Sequence, residues 1–263
     1  MTNSKQDKPL DGWRILVPRG GPWGDGVAAS LRAQGAVPVV APLINFAPTT
    51  DQASLDRALE RLTAGEYDWL TVTSATTVDV MFAHRVVVPK TTKIAAVGET
   101  TAAALQAVGY EVSLVPDKDN SAEGMAEQLI ALEPEPRRIL TLRSEIAKPV
   151  LTRSLLDAGH DVDSVVAYRT VGVPVTERIM RDVQNGRINA ILITSGSVAE
   201  QVRAQFPDIP DDTLLAAIGP RTAHDARKAG LPITVVADRQ TVDALIDAVS
   251  HFTLPHAADE FAP

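Results

Sequence analysis

Apolar and polar positions alternate along the chain in the pattern of short strands followed by amphipathic helices. Short apolar runs, such as ILV in the RILV of residues 14–17 and ILI at 191–193, predict buried strands, and a further strand is expected at residues 111–115. Each run leads into small polar residues and then into a segment with apolar residues at helical spacing, which ends at a glycine. This order predicts an α/β fold of the flavodoxin-like kind, with parallel sheets covered by helices on both faces.

One stretch of this pattern occurs twice. Residues 70–114 contain LTVTSATTVDV and IAAVGETTAAALQAVGYEVSL, and residues 191–235 contain ILITSGSVAEQ and LAAIGPRTAHDARKAGLPITV. The Thr-Ser pair, the following glycines and the threonine between them all recur after 121 residues. The opening RIL at 14–16 also recurs, at 138–140. The repeat predicts two similar α/β domains.

Two extended, β-rich segments occupy equivalent places in the two copies. Residues 36–48 contain three prolines, which exclude a helix and disfavour a central strand, and residues 162–172 read VDSVVAYRTVG. If both segments cross between the domains, they form a two-stranded antiparallel connector. The first domain is then discontinuous.

The exchanged arrangement and a simple division into halves are both compatible with the repeat, and the prolines favour the exchanged one. In the exchanged arrangement domain one contains residues 12–35 plus 173–251 and domain two contains residues 49–161. The competing halves are residues 12–131 and 137–251.

Composition and charge restrict the function. With 45% hydrophobic residues the chain is globular, and it contains no apolar run of the ~20 residues that span a membrane. The polar start, residues 1–11, lacks an export signal and, like residues 252–263, is expected to be a flexible tail. The absence of cysteine excludes disulfides and thiol catalysis. We expect a soluble, cytoplasmic, monomeric protein.

The formal net charge of −8 argues against nucleic acid as a partner, since phosphate neutralisation needs a basic surface. An anionic ligand would have to be held locally, by helix amino termini, backbone N–H groups and a few arginines.

The candidate ligand-binding residues follow the predicted strands. In open α/β sheets a ligand lies beyond the carboxyl ends of the strands, where each of these small, hydroxyl-rich loops opens a helix. The candidates are Arg19, Thr73, Ser74, Ala75, Gly98, Thr101, Arg143, Ser195, Gly196, Ser197, Gly219 and Thr222.

These residues also have purely structural interpretations. The serine of each repeat is a typical helix N-cap, and the threonines of the second motif can brace a first helical turn. The two arginines can be ordinary solvated side chains. Tyr168, in the second extended segment, can simply pack against its neighbours.

Other familiar chemistry is missing from the sequence. The five histidines show no metal-ligand spacing, and neither a Walker motif nor a nucleophile elbow is present. The glycine-rich stretch at 20–26 lacks the Gly-Lys-Ser/Thr ending of a phosphate loop. We therefore expect no metal, no nucleotide and no organic cofactor.

The ordered motifs resemble the HemD family of uroporphyrinogen-III synthases, from Arg14 to about Val249. They are RILVPR, VTSATTV, AAVGETTAAAL, LTLR, VVAYRT, LITSGSV and AAIGPRTAHDARKAG. The resemblance implies two α/β domains joined by a β connector, with their strand-end loops facing one cleft. It also implies a lyase of tetrapyrrole and heme biosynthesis.

The reaction implied by the resemblance closes hydroxymethylbilane, a linear tetrapyrrole with eight carboxylates, with inversion of ring D. Loss of hydroxyl gives an azafulvene, and ring D attacks it to form a spiro intermediate that fragments and recloses. Without the enzyme the substrate closes to the uninverted isomer I. Transient contact with the preceding enzyme of the pathway is also implied.

The resemblance assigns roles to several residues. Tyr168 matches a recurrent tyrosine and is the candidate proton donor for hydroxyl loss, while Thr101 and Thr222 match positions near the ligand. The candidate carboxylate anchors are Arg19, Arg143 and Arg221. After Arg143 the family often shows a glycine, whereas this chain has Ser144 and Glu145, and Glu145 would repel a carboxylate beside Arg143. The alternative function is a two-domain, periplasmic-binding-type sensor without catalysis.

Overall fold

The computed structural model describes residues 8–253. Strands and helices alternate along this part of the chain except that β3 follows β2 and α5 follows α4. The elements, in chain order, are β1 Arg14–Val17, α1 Gly21–Ala33, β2 Val37–Val40, β3 Ile44–Pro48, α2 Gln52–Thr63, β4 Trp69–Val72, α3 Ala75–Ala83, β5 Lys93–Ala96, α4 Glu99–Ala107, α5 Ala122–Leu132, β6 Arg138–Ser144, α6 Val150–Asp157, β7 Asp161–Gly172, α7 Glu177–Gln184, β8 Ala190–Ile193, α8 Gly196–Gln205, β9 Leu214–Ala217, α9 Pro220–Lys228, β10 Val235–Val236 and α10 Val242–Thr253.

The chain divides into two compact units. Unit one contains residues 8–45 and 172–253, and unit two contains Phe46–Val171. Each unit has its own sheet and its own buried cores, one on each face of the sheet.

Unit one is built on a sheet with the order β10-β9-β8-β1-β2. Its neighbouring strands run parallel, and the central strands β8 and β9 are buried along their whole length. Strands buried on both faces need apolar side chains at every position, which explains the continuous runs AILI and LLAA. Helices cover both faces, as the sequence predicts.

Unit two repeats this plan with the order β3-β7-β6-β4-β5. Strands β7, β6, β4 and β5 run parallel to one another. The β4 strand is buried at all four positions and sits inside the sheet. Together the two sheets confirm the predicted α/β fold class with two parallel sheets.

Helix ends follow local sequence signals. Asp51, Ser74, Ser121 and Ser195 each accept a hydrogen bond from a backbone N–H in the first turn of the helix that follows. Helix α2 is followed by Gly65 with φ of 77°, a backbone conformation that suits glycine and stops the helix.

The two extended segments form strands of the two sheets. Residues 37–40 form β2, an edge strand parallel to β1, where the missing N–H of Pro38 is tolerated. Residues 44–48 form β3, which lies beside β7. The β7 strand pairs with β6 as a regular parallel strand up to Val166, and a register shift then pairs Tyr168 with Ser144. The sheets therefore extend further into both segments than the sequence suggested.

Two further expectations need correction. Leu10 lies within the expected flexible tail 1–11, but it is fully buried in the core of unit one, and its N–H donates to the Gln34 carbonyl. The predicted strand 111–115 is reduced to one bridge between Leu114 and Ala95. The remainder of the tails, residues 1–7 and 254–263, lies outside the described residues. Within 8–253 no helix is long and apolar enough to cross a membrane.

Candidate functional site

The candidate residues of unit two lie at the carboxyl edge of its sheet. Parallel strands place their carboxyl ends along one edge, so the loops after β4, β5 and β6 are neighbours. Ser74 and Ala75 follow β4, and Gly98 follows β5. Arg143 lies at the end of β6, next to the register position that pairs Ser144 with Tyr168 of β7.

Three hydroxyl groups form a chain at this edge. Ser74 Oγ lies 3.0 Å from the Tyr168 hydroxyl and 3.1 Å from Thr77 Oγ1. It also accepts a hydrogen bond from the Thr77 backbone N–H over 3.2 Å, which caps helix α3. A residue that the sequence presents as an N-cap therefore also holds the phenol of the candidate proton donor.

The Tyr168 ring is held from a second side. It packs in a T-shaped arrangement with Phe46 of β3, with ring centroids 5.3 Å apart and an interplanar angle of 84°. Tyr168 is 7% exposed. Its ring is packed against its neighbours while its hydroxyl has a hydrogen-bond partner, as is usual for a buried tyrosine. The two interpretations of this tyrosine are thus compatible in the folded chain.

Arg143 stabilises its own loop. Its Nη1 donates to the carbonyl oxygens of Ser144 and Glu145, over 3.0 and 3.3 Å, and its Nε donates to Ser164 Oγ over 3.1 Å. The guanidinium therefore braces the end of β6, and its role as a carboxylate anchor stays a prediction.

The second motif of unit two places a glycine and a buried threonine at the start of α4. Gly98 is the N-cap of this helix, and a methyl group there would lie 3.3 Å from the Cβ of Asn120. Thr101 is 5% exposed, and its N–H donates to the Gly98 carbonyl. Thr101 thus fits the bracing interpretation, while the backbone N–H groups of the first turn remain suited to an anion.

Unit one carries the equivalent loop with different partners. Ser195 Oγ caps α8 by accepting from the Val198 N–H over 3.3 Å, and it lies 3.0 Å from Ser197 Oγ. The hydroxyl of Thr194 is buried and has no hydrogen-bond partner among the described residues. Hydroxyl groups are therefore grouped in this loop as well.

A carboxylate faces this loop. A methyl group on Gly196 would lie 3.5 Å from Oδ2 of Asp225, and the same oxygen accepts a hydrogen bond from Arg221 Nε over 3.2 Å. The position 121 residues before Asp225 is Ala104, so the loop of unit two lacks this charge. The two repeats thus differ electrostatically at the amino termini of α3 and α8.

The other candidates of unit one lie at the same edge. The guanidinium carbon of Arg19 stands 4.9 Å from the centroid of the Trp23 ring, a cation–π contact. Gly219 is the N-cap of α9, and Thr222 in its first turn is 5% exposed, like its counterpart in unit two.

Strongly shifted pKa values occur away from these loops. Burial and a hydrogen bond to Asp163 raise the pKa of Tyr67, which precedes β4. Hydrogen bonds lower the pKa of Glu133, which contacts residues that begin β4 and β5. Both groups lie at the amino edge of the sheet. Within the described part of the chain, no three His, Asp or Glu side chains are grouped so that they could hold a metal ion.

Three contributors were missed in the sequence. Thr77 had a usable signal, since a hydroxyl three residues after an N-cap serine falls within hydrogen-bonding reach. Asp225 had a weaker sequence signal, because the equivalent position of the other repeat is occupied by Ala104. Phe46 is distant in sequence from Tyr168, and nothing in the pattern connects the two.

Comparison with known proteins gives consistent results. A family model described as uroporphyrinogen-III synthase HemD matches residues 25–247. The porphyrin biosynthesis protein HemD of Ruminiclostridium josui is 32% identical over 253 residues, which cover 91% of this chain and 48% of that protein. The chain thus spans about half the length of that relative. The uroporphyrinogen-III synthase of Salmonella typhimurium is 28% identical over 254 residues, which cover 89% of this chain and 99% of that protein.

A solved structure supports the fold. The uroporphyrinogen-III synthetase of Helicobacter pylori matches with a TM-score of 0.65 at 18% identity, over 92% of this chain and 99% of that one.

Proposed function

Because the chain belongs to the uroporphyrinogen-III synthase HemD family, we propose that it cyclises hydroxymethylbilane to uroporphyrinogen III with inversion of ring D. The family match over residues 25–247 carries this proposal, since it includes both repeats of the strand-end motifs. The chain is then a lyase of tetrapyrrole biosynthesis that needs no cofactor. A sensor without catalysis is not favoured, because the matching relatives are biosynthetic proteins.

The loops supply what an eight-carboxylate substrate needs from a chain of net charge −8. Helix amino termini present unpaired N–H groups and a partial positive charge, and they bind carboxylates without adding cationic side chains. The proposed substrate-binding residues in unit two are Thr73, Ser74, Ala75, Gly98, Thr101 and Arg143. Those in unit one are Arg19, Ser195, Gly196, Ser197, Gly219 and Thr222.

In this proposal Tyr168 supplies a proton for the first step. The phenol O–H bond breaks, the proton joins the departing hydroxyl group, and the C–O bond breaks to release water and the azafulvene cation, leaving a phenolate. Ring D attacks through its substituted carbon, and the spiro intermediate fragments and recloses at the other carbon. The C–H proton lost there returns to the phenolate, so substrate gives product plus one water. The contact with Ser74 supports this role, because an O–H donor stabilises a phenolate.

Holding the substrate is the larger part of the task. Hydroxymethylbilane closes without help to the uninverted isomer, so the protein must favour the folded conformer in which ring D reacts through its substituted carbon. We place this work in the cytoplasm, in a monomer that makes transient contact with the enzyme supplying hydroxymethylbilane. Nucleic acid and membranes take no part.

The product isomer tests the proposal. Purified protein is incubated with freshly prepared hydroxymethylbilane, the products are oxidised to porphyrins, and isomers I and III are separated by chromatography. We expect isomer III in excess with the protein and isomer I in buffer alone. Isomer I as the sole product in both samples would refute the proposed function.

A further inference from the structure

The two repeats differ in the partner of their capping serine. In unit two Ser74 contacts both Thr77 and the Tyr168 hydroxyl. In unit one the equivalent Ser195 is followed at the third position by Val198, and this unit contains no tyrosine at all. A hydroxyl-bearing residue three positions after the capping serine therefore occurs only in the unit that contains the phenol of Tyr168.

We propose that Thr77 is a positioning residue that fixes the direction in which the Tyr168 hydroxyl donates its proton. This inference rests on the proposed function. A serine oxygen has two acceptor sites. The Thr77 backbone N–H donates to one of those of Ser74, and in this proposal the Thr77 O–H, whose oxygen lies 3.1 Å from Ser74 Oγ, donates to the other. The proton of Ser74 then points to the Tyr168 oxygen, and the phenol must direct its own proton away from Ser74.

The direction matters for the first step. With Thr77 as donor, the phenol proton is available to the departing hydroxyl group, and the Ser74 O–H stabilises the phenolate that forms. Without the Thr77 hydroxyl, one acceptor site of Ser74 is empty, and the phenol can donate to it instead. The proton would then be turned away from the substrate in part of the molecules.

The effect of the Thr77 hydroxyl on catalysis can be separated from effects on substrate binding and on folding. Thr77 is fully buried, so it does not touch a substrate. Valine has nearly the same shape as threonine, and Val198 occupies the equivalent place beside Ser195 with the capping hydrogen bond intact. Replacement of Thr77 by valine should therefore preserve the cap and remove the hydroxyl alone.

Three variants test the inference by steady-state kinetics. We expect Thr77→Val to lower kcat about fivefold with KM unchanged, the rate equivalent of one neutral hydrogen bond. Thr77→Ser keeps the hydroxyl and should restore kcat to within twofold of the original chain. The reciprocal change Val198→Thr adds a hydroxyl to the repeat without a tyrosine and should leave kcat unchanged. Thermal unfolding of all three shows whether they fold equally well.

Several outcomes would overturn the inference. An unchanged kcat in Thr77→Val shows that the hydroxyl is not used, and an equally slow Thr77→Ser assigns the loss to packing. Neutron diffraction of the deuterated chain gives an answer that is independent of turnover. A deuteron on Ser74 that points to Tyr168 supports the proposal, whereas a Tyr168 deuteron that points to Ser74 refutes it. Failure of the proposed function itself would appear separately, as isomer I from the unmodified protein.

Discussion

The indole N–H of Trp69 donates a hydrogen bond to the buried carboxylate of Glu133 over 3.0 Å. The same carboxylate accepts from Lys93 over 2.9 Å and from Arg137 over 2.6 Å. Helix α5 is thereby tied to the amino ends of β4 and β5 in unit two. The carboxylate is 6% exposed, whereas about half of each cation is in water.

Replacement of Glu133 by glutamine should destabilise unit two by about 1–2 kcal/mol. Glutamine keeps the shape and can still accept from Trp69, but it loses the charge that holds the two cations, and water already screens part of that attraction. Urea unfolding followed by circular dichroism and tryptophan fluorescence measures the change. Glu127→Gln, at an exposed site on the same helix, is the matched control and should stay within about 0.5 kcal/mol.

The stabilisation by Glu133 should depend on pH in the acid range. The hydrogen bond from Lys93, aided by those from Trp69 and Arg137, lowers the pKa of Glu133 from 4.5 to about 2, against the opposing effect of burial. A lowered folded-state pKa contributes stability above pH 4.5 that is lost as the pH falls toward 2. The unfolding free energies of the original chain and Glu133→Gln should therefore converge in that window. A constant difference from pH 6 to pH 2 would contradict this assignment.

The repeating pattern was sufficient to predict the sheets and their loops. Continuous apolar runs such as AILI can only be buried on both faces, and serines before helical segments cap them as expected. The prediction of a strand at 111–115 was wrong. This segment lies at the sheet edge and is followed by Pro116, which lacks an N–H, and only Leu114 forms a bridge to the sheet.

Contacts between distant segments could not be predicted from the sequence. Tyr168 and Ser74 are 94 residues apart, and their contact depends on β6 lying between β4 and β7. Leu10 precedes the first strand and looks like part of a polar tail, but one apolar residue is enough to fill a gap in a core. Such long-range packing is set by tertiary structure, which local periodicity does not encode.

Replacement of Gly24 by alanine should destabilise unit one by about 1–3 kcal/mol and disturb the Arg19 loop. The added methyl group would lie 2.2 Å from the Arg19 carbonyl oxygen, so helix α1 or the loop must move. Thermal unfolding measures the loss. Gly26→Ala is the matched control, since nothing lies within 4 Å of that methyl group and alanine favours the helix by about 0.5–1 kcal/mol. Equal stability of the two variants would disprove the proposed steric conflict.

Replacement of Tyr168 by phenylalanine should lower kcat about a hundredfold, the usual contribution of a positioned proton donor. Phenylalanine keeps the edge contact with Phe46, so the fold and KM should change little. The assay is the initial rate of isomer III formation. Tyr110→Phe is the control in the same unit, because that hydroxyl donates to the Val86 carbonyl over 2.7 Å. A kcat equal to that of the unmodified chain would remove Tyr168 from the mechanism.

Asp225 weakens anion binding at the loop of unit one if the amino terminus of α8 holds a substrate carboxylate. Replacement by asparagine removes a negative charge close to Gly196 and releases Arg221 from its ion pair. Removal of about 1 kcal/mol of repulsion corresponds to an approximately fivefold lower KM.

The effect should be local and sensitive to salt. Steady-state kinetics of Asp225→Asn at 20 and 300 mM salt measures it, and the difference from the unmodified chain should shrink at the higher concentration because exposed charges are screened. Glu177→Gln removes the same charge from an exposed ion pair with Arg181 on α7 and is the matched control. If both variants lower KM equally, net charge rather than the position of Asp225 governs binding. A KM unchanged in Asp225→Asn would exclude the α8 amino terminus as a carboxylate site.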